Sequence, residues 1–214
     1  MNKVKKYALI VAGGSGTRMH TNQLKQFILL SGKPVLIHTL ECFIRFDSSV
    51  ELILILPESQ HDYWKKLCRE HNFITPHTLV SGGETRFHSV SNGLSAISGE
   101  GIVFIHDGVR PLVSSATLTR CLEGALANGN AIPALPVSES VRQLTGNKSS
   151  PVDREKLRLI QTPQTFRVSL IKAAYSVPFE TSFTDDASVL EKTGAEIFLT
   201  EGNRENIKIT WPED

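Results

Sequence analysis

Apolar residues along this 214-residue chain fall into short dense runs, separated by stretches with a wider, helical spacing. Tyr7 to Ala12 is one dense run, and Glu51 to Pro57 (ELILILP) and Gly101 to His106 (GIVFIH) are two more. Such runs predict strands covered on both faces, because a strand with one solvated face would alternate polar and apolar. His77 to Val80 and Ala131 to Val137 predict two further strands. Between them, Leu36, Ile37, Leu40, Phe43 and Ile44 share one helical face, and so do Phe87, Val90, Leu94 and Ile97. Ser59 to Glu70 predicts a polar-faced helix. Ala116 to Asn128 predicts another, capped by Ser114 or Ser115 and stopped by Gly129. Strands alternating with helices predict an α/β fold, a doubly wound and mostly parallel sheet in a single domain over 1–214.

Residues 138–160 break this rhythm. A turn signal at Thr145 to Pro151 with short alternating flanks predicts a β-hairpin arm. A two-stranded arm with so little apolar content is marginal alone. Packing against a second subunit would bury it, and a flexible surface loop is the other reading the sequence leaves open. Beyond the arm, Gln161 to Phe166 (QTPQTF) predicts a rigid proline turn, and Val168 to Tyr175 a helix. Thr184-Asp185-Asp186 caps a helix to Thr193, ended by Gly194. Glu196 to Thr200 and Asn206 to Thr210 predict two last strands.

Ligands of doubly wound sheets sit beyond the carboxyl ends of the strands. Three loops fall there: 13–18, 81–86 and 107–111. The first carries Gly13, Gly14 and Gly16, then Arg18 and, seven residues on, Lys25. Glycines let backbone N–H groups approach a phosphate closely, and the two cations can grip its oxygens. The spacing matches neither the dinucleotide fingerprint nor the Walker A loop. Alone, Arg18 and Lys25 read more readily as solvated surface charges than as phosphate ligands, and Asp107 reads equally as a cap on the turn before Pro111.

Charge and composition narrow the field. With 23 Lys and Arg against 22 Asp and Glu the formal net charge is +1, so no global basic field points to nucleic acid or an anionic membrane. No apolar run is long enough to span a bilayer, and the N-terminal one is shorter than a usual signal-peptide core. A cytoplasmic protein is expected. Cys42, Cys68 and Cys121 are odd in number and far apart, which predicts free thiols in a reducing compartment. There is no nucleophile elbow and no Cys/His metal spacing. His106 reads as structural. Arg18, Lys25, Asp107, Arg110, Arg154 and Lys208 instead suit phosphoryl or nucleotidyl transfer, where positioning and charge neutralisation do most of the catalysis.

Eight blocks occur in order: AGGSGTRM (12–19), LKQF (24–27), SGGETR…SV (81–90), HDGVRP (106–111), VDR (152–154), QTPQTF (161–166), TDDASVLEKTG (184–194) and GNRENIKIT (202–210). Together they resemble the cytidylyltransferases that act on 2-C-methyl-D-erythritol 4-phosphate in the non-mevalonate isoprenoid pathway. The resemblance implies a Rossmann-like nucleotidyltransferase that joins CTP to the polyol phosphate with Mg²⁺ on the triphosphate, releasing pyrophosphate. It implies that Arg18 and Lys25 grip the triphosphate. Backbone at Ala12, Gly13, Gly14, Ser15 and Gly16, with Gly82, Gly83, Ser89 and Asp107, would hold the cytidine nucleotide. Asp107, Arg110, Ser140, Arg154, Thr162 and Lys208 would meet the polyol phosphate, with Lys208 near the reacting phosphates. Arg154 would reach a neighbouring subunit's substrate, which makes the expected assembly a homodimer through the arm. The resemblance implies no metal ligand among the side chains.

This sequence departs from the family pattern at Glu139-Ser140, where an Asp-Thr pair is usual, so the arm keeps a hydroxyl but not the same one. Relatives also continue into a terminal helix after the position of Trp211-Pro212-Glu213-Asp214. Three rivals share parts of the pattern. They are a ribitol 5-phosphate cytidylyltransferase, a nucleotide-sugar synthase and a non-catalytic nucleotide-binding protein. The VDR and NIKIT blocks argue against the second, and the presence of Arg18, Lys25 and Lys208 against the third.

Overall fold

A computed structural model describes residues 4–14 and 24–214. Its strands are β1 (Lys6–Val11), β2 (Leu29–Leu30), β3 (Lys33–Pro34), β4 (Glu51–Leu56), β5 (Thr78–Ser81), β6 (Ile102–Asp107), β7 (Asn130–Pro136), β8 (Val141–Thr145), β9 (Lys148–Val152), β10 (Arg158–Ile160), β11 (Gln164–Arg167) and β12 (Leu199–Glu201). Its helices are α1 (Val35–Phe46), α2 (His61–Glu70), α3 (Arg86–Ser95), α4 (Ser115–Asn128), α5 (Val168–Ala174) and α6 (Asp186–Glu191). The main sheet runs β10-β7-β11-β6-β1-β4-β5, with β12 also paired to β7. β6, β1, β4 and β5 are mutually parallel.

The dense apolar strands serve two cores at once. In β1, Ala8 and Ile10 face one side, with Leu36, Leu40 and Phe43 of α1, Trp64 of α2 and Leu118 of α4. Tyr7 and Leu9 face the other, with Phe87, Val90 and Leu94 of α3 and Ile171 of α5. Side chains along a strand point alternately to opposite faces, so an unbroken apolar run is what two covered faces require. Ser114 caps α4 by accepting from the Thr117 N–H at 3.1 Å, and Gly129 ends it in the left-handed region at φ 88°.

Three elements differ from the sequence expectation. QTPQTF is not only a turn: β11 enters the middle of the sheet, antiparallel to both β6 and β7. Pro163 lies just ahead of that strand, where its missing N–H costs no ladder bond. The last part of the 138–160 segment, β10, also joins the main sheet, antiparallel to β7. The NIKIT stretch forms no strand, and its Ile209 N–H makes one backbone bond to Val109 O at 3.0 Å. β8 and β9 form a separate two-stranded hairpin, in register from Val141↔Val152 to Thr145↔Lys148, and most of its residues are exposed. Among the described residues no helix is long and apolar enough to cross a membrane.

Candidate active site

β1, β4 and β6 run parallel, so their carboxyl ends, and the loops that follow, share one edge of the sheet. A cavity of about 220 Å³ opens there. Its wall comprises Ala12, Gly13 and Gly14 after β1, Lys25 and Gln26, Gly83 to Arg86 with Ser89 around the start of α3, Asp107 at the end of β6, and Lys208 from the C-terminal segment. The described residues of the three loops picked out by sequence thus meet at one place. Ser15, Gly16 and Arg18 lie outside the described residues.

The glycine turn after β5 is fixed by its own helix. Ser89 Oγ accepts from the Gly83 N–H at 3.0 Å, and Thr85 caps α3 by accepting from the His88 N–H. Gly82 donates its N–H to Leu56 O at 2.8 Å. A Cβ on Gly83 would lie 2.5 Å from His88 Cβ, so no side chain fits there. On the opposite wall Gln26 donates to Ala12 O at 2.9 Å and ties the Lys25 turn to the end of β1.

Asp107 is the centre of the charged cluster. Its Oδ2 accepts from Arg110 Nε and from Lys208 Nζ, each at 3.1 Å. Burial alone would raise its pKa, but Lys208, Arg86 and Arg110 outweigh burial and hold the carboxyl well below its usual range. Arg110 Nη1 also donates to Asn206 O at 2.8 Å, and Asn206 Nδ2 donates to Thr162 O at 2.8 Å. These bonds draw residues 106–110, 162 and 206–208 into one network.

His106, beneath this cluster, is fully buried. Its Nε2 lies 3.0 Å from Arg110 O, a carbonyl that can only accept, so Nε2 carries the proton. Nδ1 therefore accepts from Thr162 Oγ1 at 3.0 Å, and Thr162 Oγ1 accepts from the Asp107 N–H at 3.1 Å. Burial lowers the His106 pKa to about 4, so the ring is neutral at pH 7 and acts as a structural link.

Sequence reasoning passed over Arg86. It is the first residue of α3, lines the cavity, and forks onto Asp186 at 2.7 and 2.6 Å. A cation in the first turn of a helix opposes the helix dipole, and that signal could have flagged a hidden anion partner.

A sequence model of the family described as IspD, 2-C-methyl-D-erythritol 4-phosphate cytidylyltransferase, matches residues 7–214. The chain belongs to this family. It is 53% identical over 207 residues to the Bacteroides fragilis 2-C-methyl-D-erythritol 4-phosphate cytidylyltransferase, covering 97% of this chain and 94% of that one. The crystal structure of the Thermus thermophilus 2-C-methyl-D-erythritol 4-phosphate cytidylyltransferase has a TM-score of 0.77 at 31% identity, covering 99% of this chain and 94% of that chain. The bifunctional IspDF of Campylobacter jejuni has a TM-score of 0.83 at 30% identity, covering 98% of this chain but 53% of that longer one.

In this IspD-family chain the arm residues stand apart from the cavity. Ser140 and Arg154 are exposed and neither lines it. Arg154 Nη1 donates instead to Ser138 O at 2.6 Å. Arg110 and Thr162 sit just behind the wall and reach it through Asp107. Among the described residues no three His, Cys, Asp or Glu side chains converge as a metal site. Asp107, the most buried acid at the cavity, already binds two cations.

Proposed function

We propose that this chain transfers CMP from CTP to 2-C-methyl-D-erythritol 4-phosphate. A phosphate oxygen of the polyol attacks the α-phosphorus of CTP, forming a P–O bond as the bridging P–O bond to the β-phosphate breaks. The electron pair leaves with pyrophosphate. The observation that carries this reading is the meeting of two glycine turns with Lys25, Asp107 and Lys208 at one cavity in an IspD-family chain.

The geometry supports a division of labour. Gly82, Gly83 and Ser89 form a rigid turn, and Gly83 and Ser89 line the cavity together with Asp107, where they are assigned to the base and ribose. Ala12, Gly13 and Gly14 offer close backbone approach to phosphates, beside Lys25. Ser15, Gly16 and Arg18 continue that loop and are assigned to the triphosphate with them. Asp107 stays ionised at neutral pH and so holds Lys208 at the cavity wall, where an incoming phosphate would meet it, with Arg110 adding its charge from behind the wall. Preorganised cations at a phosphoryl-transfer site stabilise the charge that spreads over the transition state, with no reorganisation at the moment of reaction. Thr162 lies behind the wall, tied to His106 and Asp107, and is assigned to the polyol side through Asp107.

Cytidylyl transfer calls for a divalent ion, and we assign Mg²⁺. With no convergent side-chain cluster among the described residues, the triphosphate oxygens would hold it. When bound it supplies neutralisation of the leaving pyrophosphate. We further assign the arm, 138–160, to a homodimer contact that brings Ser140 and Arg154 to the partner's polyol site. Their exposure and distance from the cavity of their own chain fit that role.

The test is pyrophosphate release from CTP and Mg²⁺, with methylerythritol 4-phosphate or ribitol 5-phosphate offered separately. Release with the first polyol alone is expected. Release with the second alone would move the protein to the ribitol branch.

A further inference from the structure

Asp186 is the first residue of α6, is fully buried and does not line the cavity. Its carboxylate nevertheless accepts three hydrogen bonds from two other elements. Arg86 Nη1 and Nη2 donate at 2.7 and 2.6 Å, and Tyr175 Oη, just past α5, donates at 2.7 Å. Burial alone would make the Arg86 cation easier to deprotonate, but the Asp186 charge overrides that and holds it protonated. Phe87, next in the chain, stacks on the Tyr175 ring at 4.7 Å and on Phe183 at 5.6 Å.

The carboxylate is itself fixed to the sheet. Gln164 of β11 donates to Asp185 Oδ2 at 2.7 Å and accepts from the Ala187 N–H at 2.7 Å, gripping α6 on both sides of Asp186. Arg86 is therefore held in a planar fork whose anchor traces to the centre of the sheet. Its side chain keeps 31% of its surface accessible, and it forms part of the cavity wall. The residues just before it are Gly82, Gly83 and the helix cap Thr85.

We propose that Arg86 and Asp186 form a positioning pair for the nucleoside triphosphate. The buried carboxylate sets where the guanidinium stands at the cavity wall and where the preceding turn lies. Nucleotide affinity then depends on Asp186, which cannot touch the nucleotide. Arg86 lines the same cavity as Lys208 and Asp107, and the Asp107 charge acts on it there as well. The inference rests on the cavity being the CTP site.

The test compares wild type, Asp186→Asn and Tyr175→Phe by titration calorimetry with CTP and by steady-state kinetics. Asp186→Asn keeps the shape and removes the charge. It is expected to raise the Kd and KM for CTP about tenfold while the KM for the polyol phosphate and kcat change less than about threefold, the pattern of lost nucleotide binding. Tyr175→Phe removes one hydrogen bond and is expected to raise the CTP Kd about twofold. A folded Asp186→Asn with unchanged CTP affinity, or with equal rises in both KM values, would overturn the pair. If Asp186→Asn does not fold, Tyr175→Phe decides, and an unchanged Kd for CTP counts against the proposal. A wild type that binds CTP but uses no polyol phosphate would sink the proposed reaction, while the Kd comparison would still test the pair.

Discussion

The charged cluster around Asp107 and the arm, where Ser140 and Arg154 flank the hairpin of β8 and β9, carry assigned site residues in opposite physical settings. At the cluster, every polar group has a partner from a distant part of the chain: Asp107 from residue 208, Thr162 from residue 106, Arg110 from residue 206. At the hairpin, β8 and β9 pair only with each other, and Arg154 nearby bonds to Ser138 O. The first region is preorganised by folding of one chain. The second has almost no apolar burial of its own, with Leu144 75% exposed. Chemistry that must be rigid is built where the fold has already determined geometry. A residue on the hairpin gains fixed geometry only when something covers it.

The largest effect should come from the rigid region. Lys25→Ala is expected to cut turnover by about 10²–10³-fold with the fold intact, since a preorganised charge is lost. Near-normal turnover in that variant would remove Lys25 from the chemistry. The second effect is on stability. His106 takes a proton near its ordinary 6.5 in the unfolded chain but only near about 4 when folded. Between those values the unfolded state binds more protons, so the stabilisation is complete above the upper value and lost as pH falls, by about 3 kcal/mol in all. Denaturant titrations at pH 7 and pH 4.5 should show this loss in wild type and less of it in His106→Asn. An identical loss in both would exclude His106 as its source.

Asp107→Asn sharpens the comparison further. It frees Lys208 and Arg110 from their shared anion, and misplacement of such groups is expected to cost about 10²-fold in turnover. A loss confined to stability, with kcat and both KM values kept, would contradict the role of Asp107 in holding the cations. The smallest effect should fall on the hairpin side. Arg154→Ala is expected to raise the KM for the polyol phosphate about tenfold and leave CTP affinity unchanged, as for one lost charged hydrogen bond. An equal loss for both substrates would count against the arm assignment.

The contrast also explains what the sequence made readable. The unbroken runs at β1, β4 and β6, the glycine turns and the caps at Ser114 and Asp185 all have local signatures. So the carboxyl-end site could be located from the sequence. β11 was hidden because its signal, QTPQTF, is dominated by a proline that lies just outside the strand. NIKIT alternates like a strand, but it pairs with no strand, and its Ile209 N–H reaches only the turn carbonyl of Val109. The Arg86–Asp186 fork and the Lys208–Asp107 pair join residues about a hundred positions apart, and no local pattern records such a partner.

The central claim is attack on the α-phosphorus of CTP by the polyol phosphate. Phosphorus NMR of a reaction containing enzyme, CTP, Mg²⁺ and methylerythritol 4-phosphate tests it directly. The account predicts loss of the polyol monophosphate signal, two new diphosphate signals coupled to each other, and free pyrophosphate in equal amount. Formation of CDP with inorganic phosphate, or no new diphosphate at all, would contradict it.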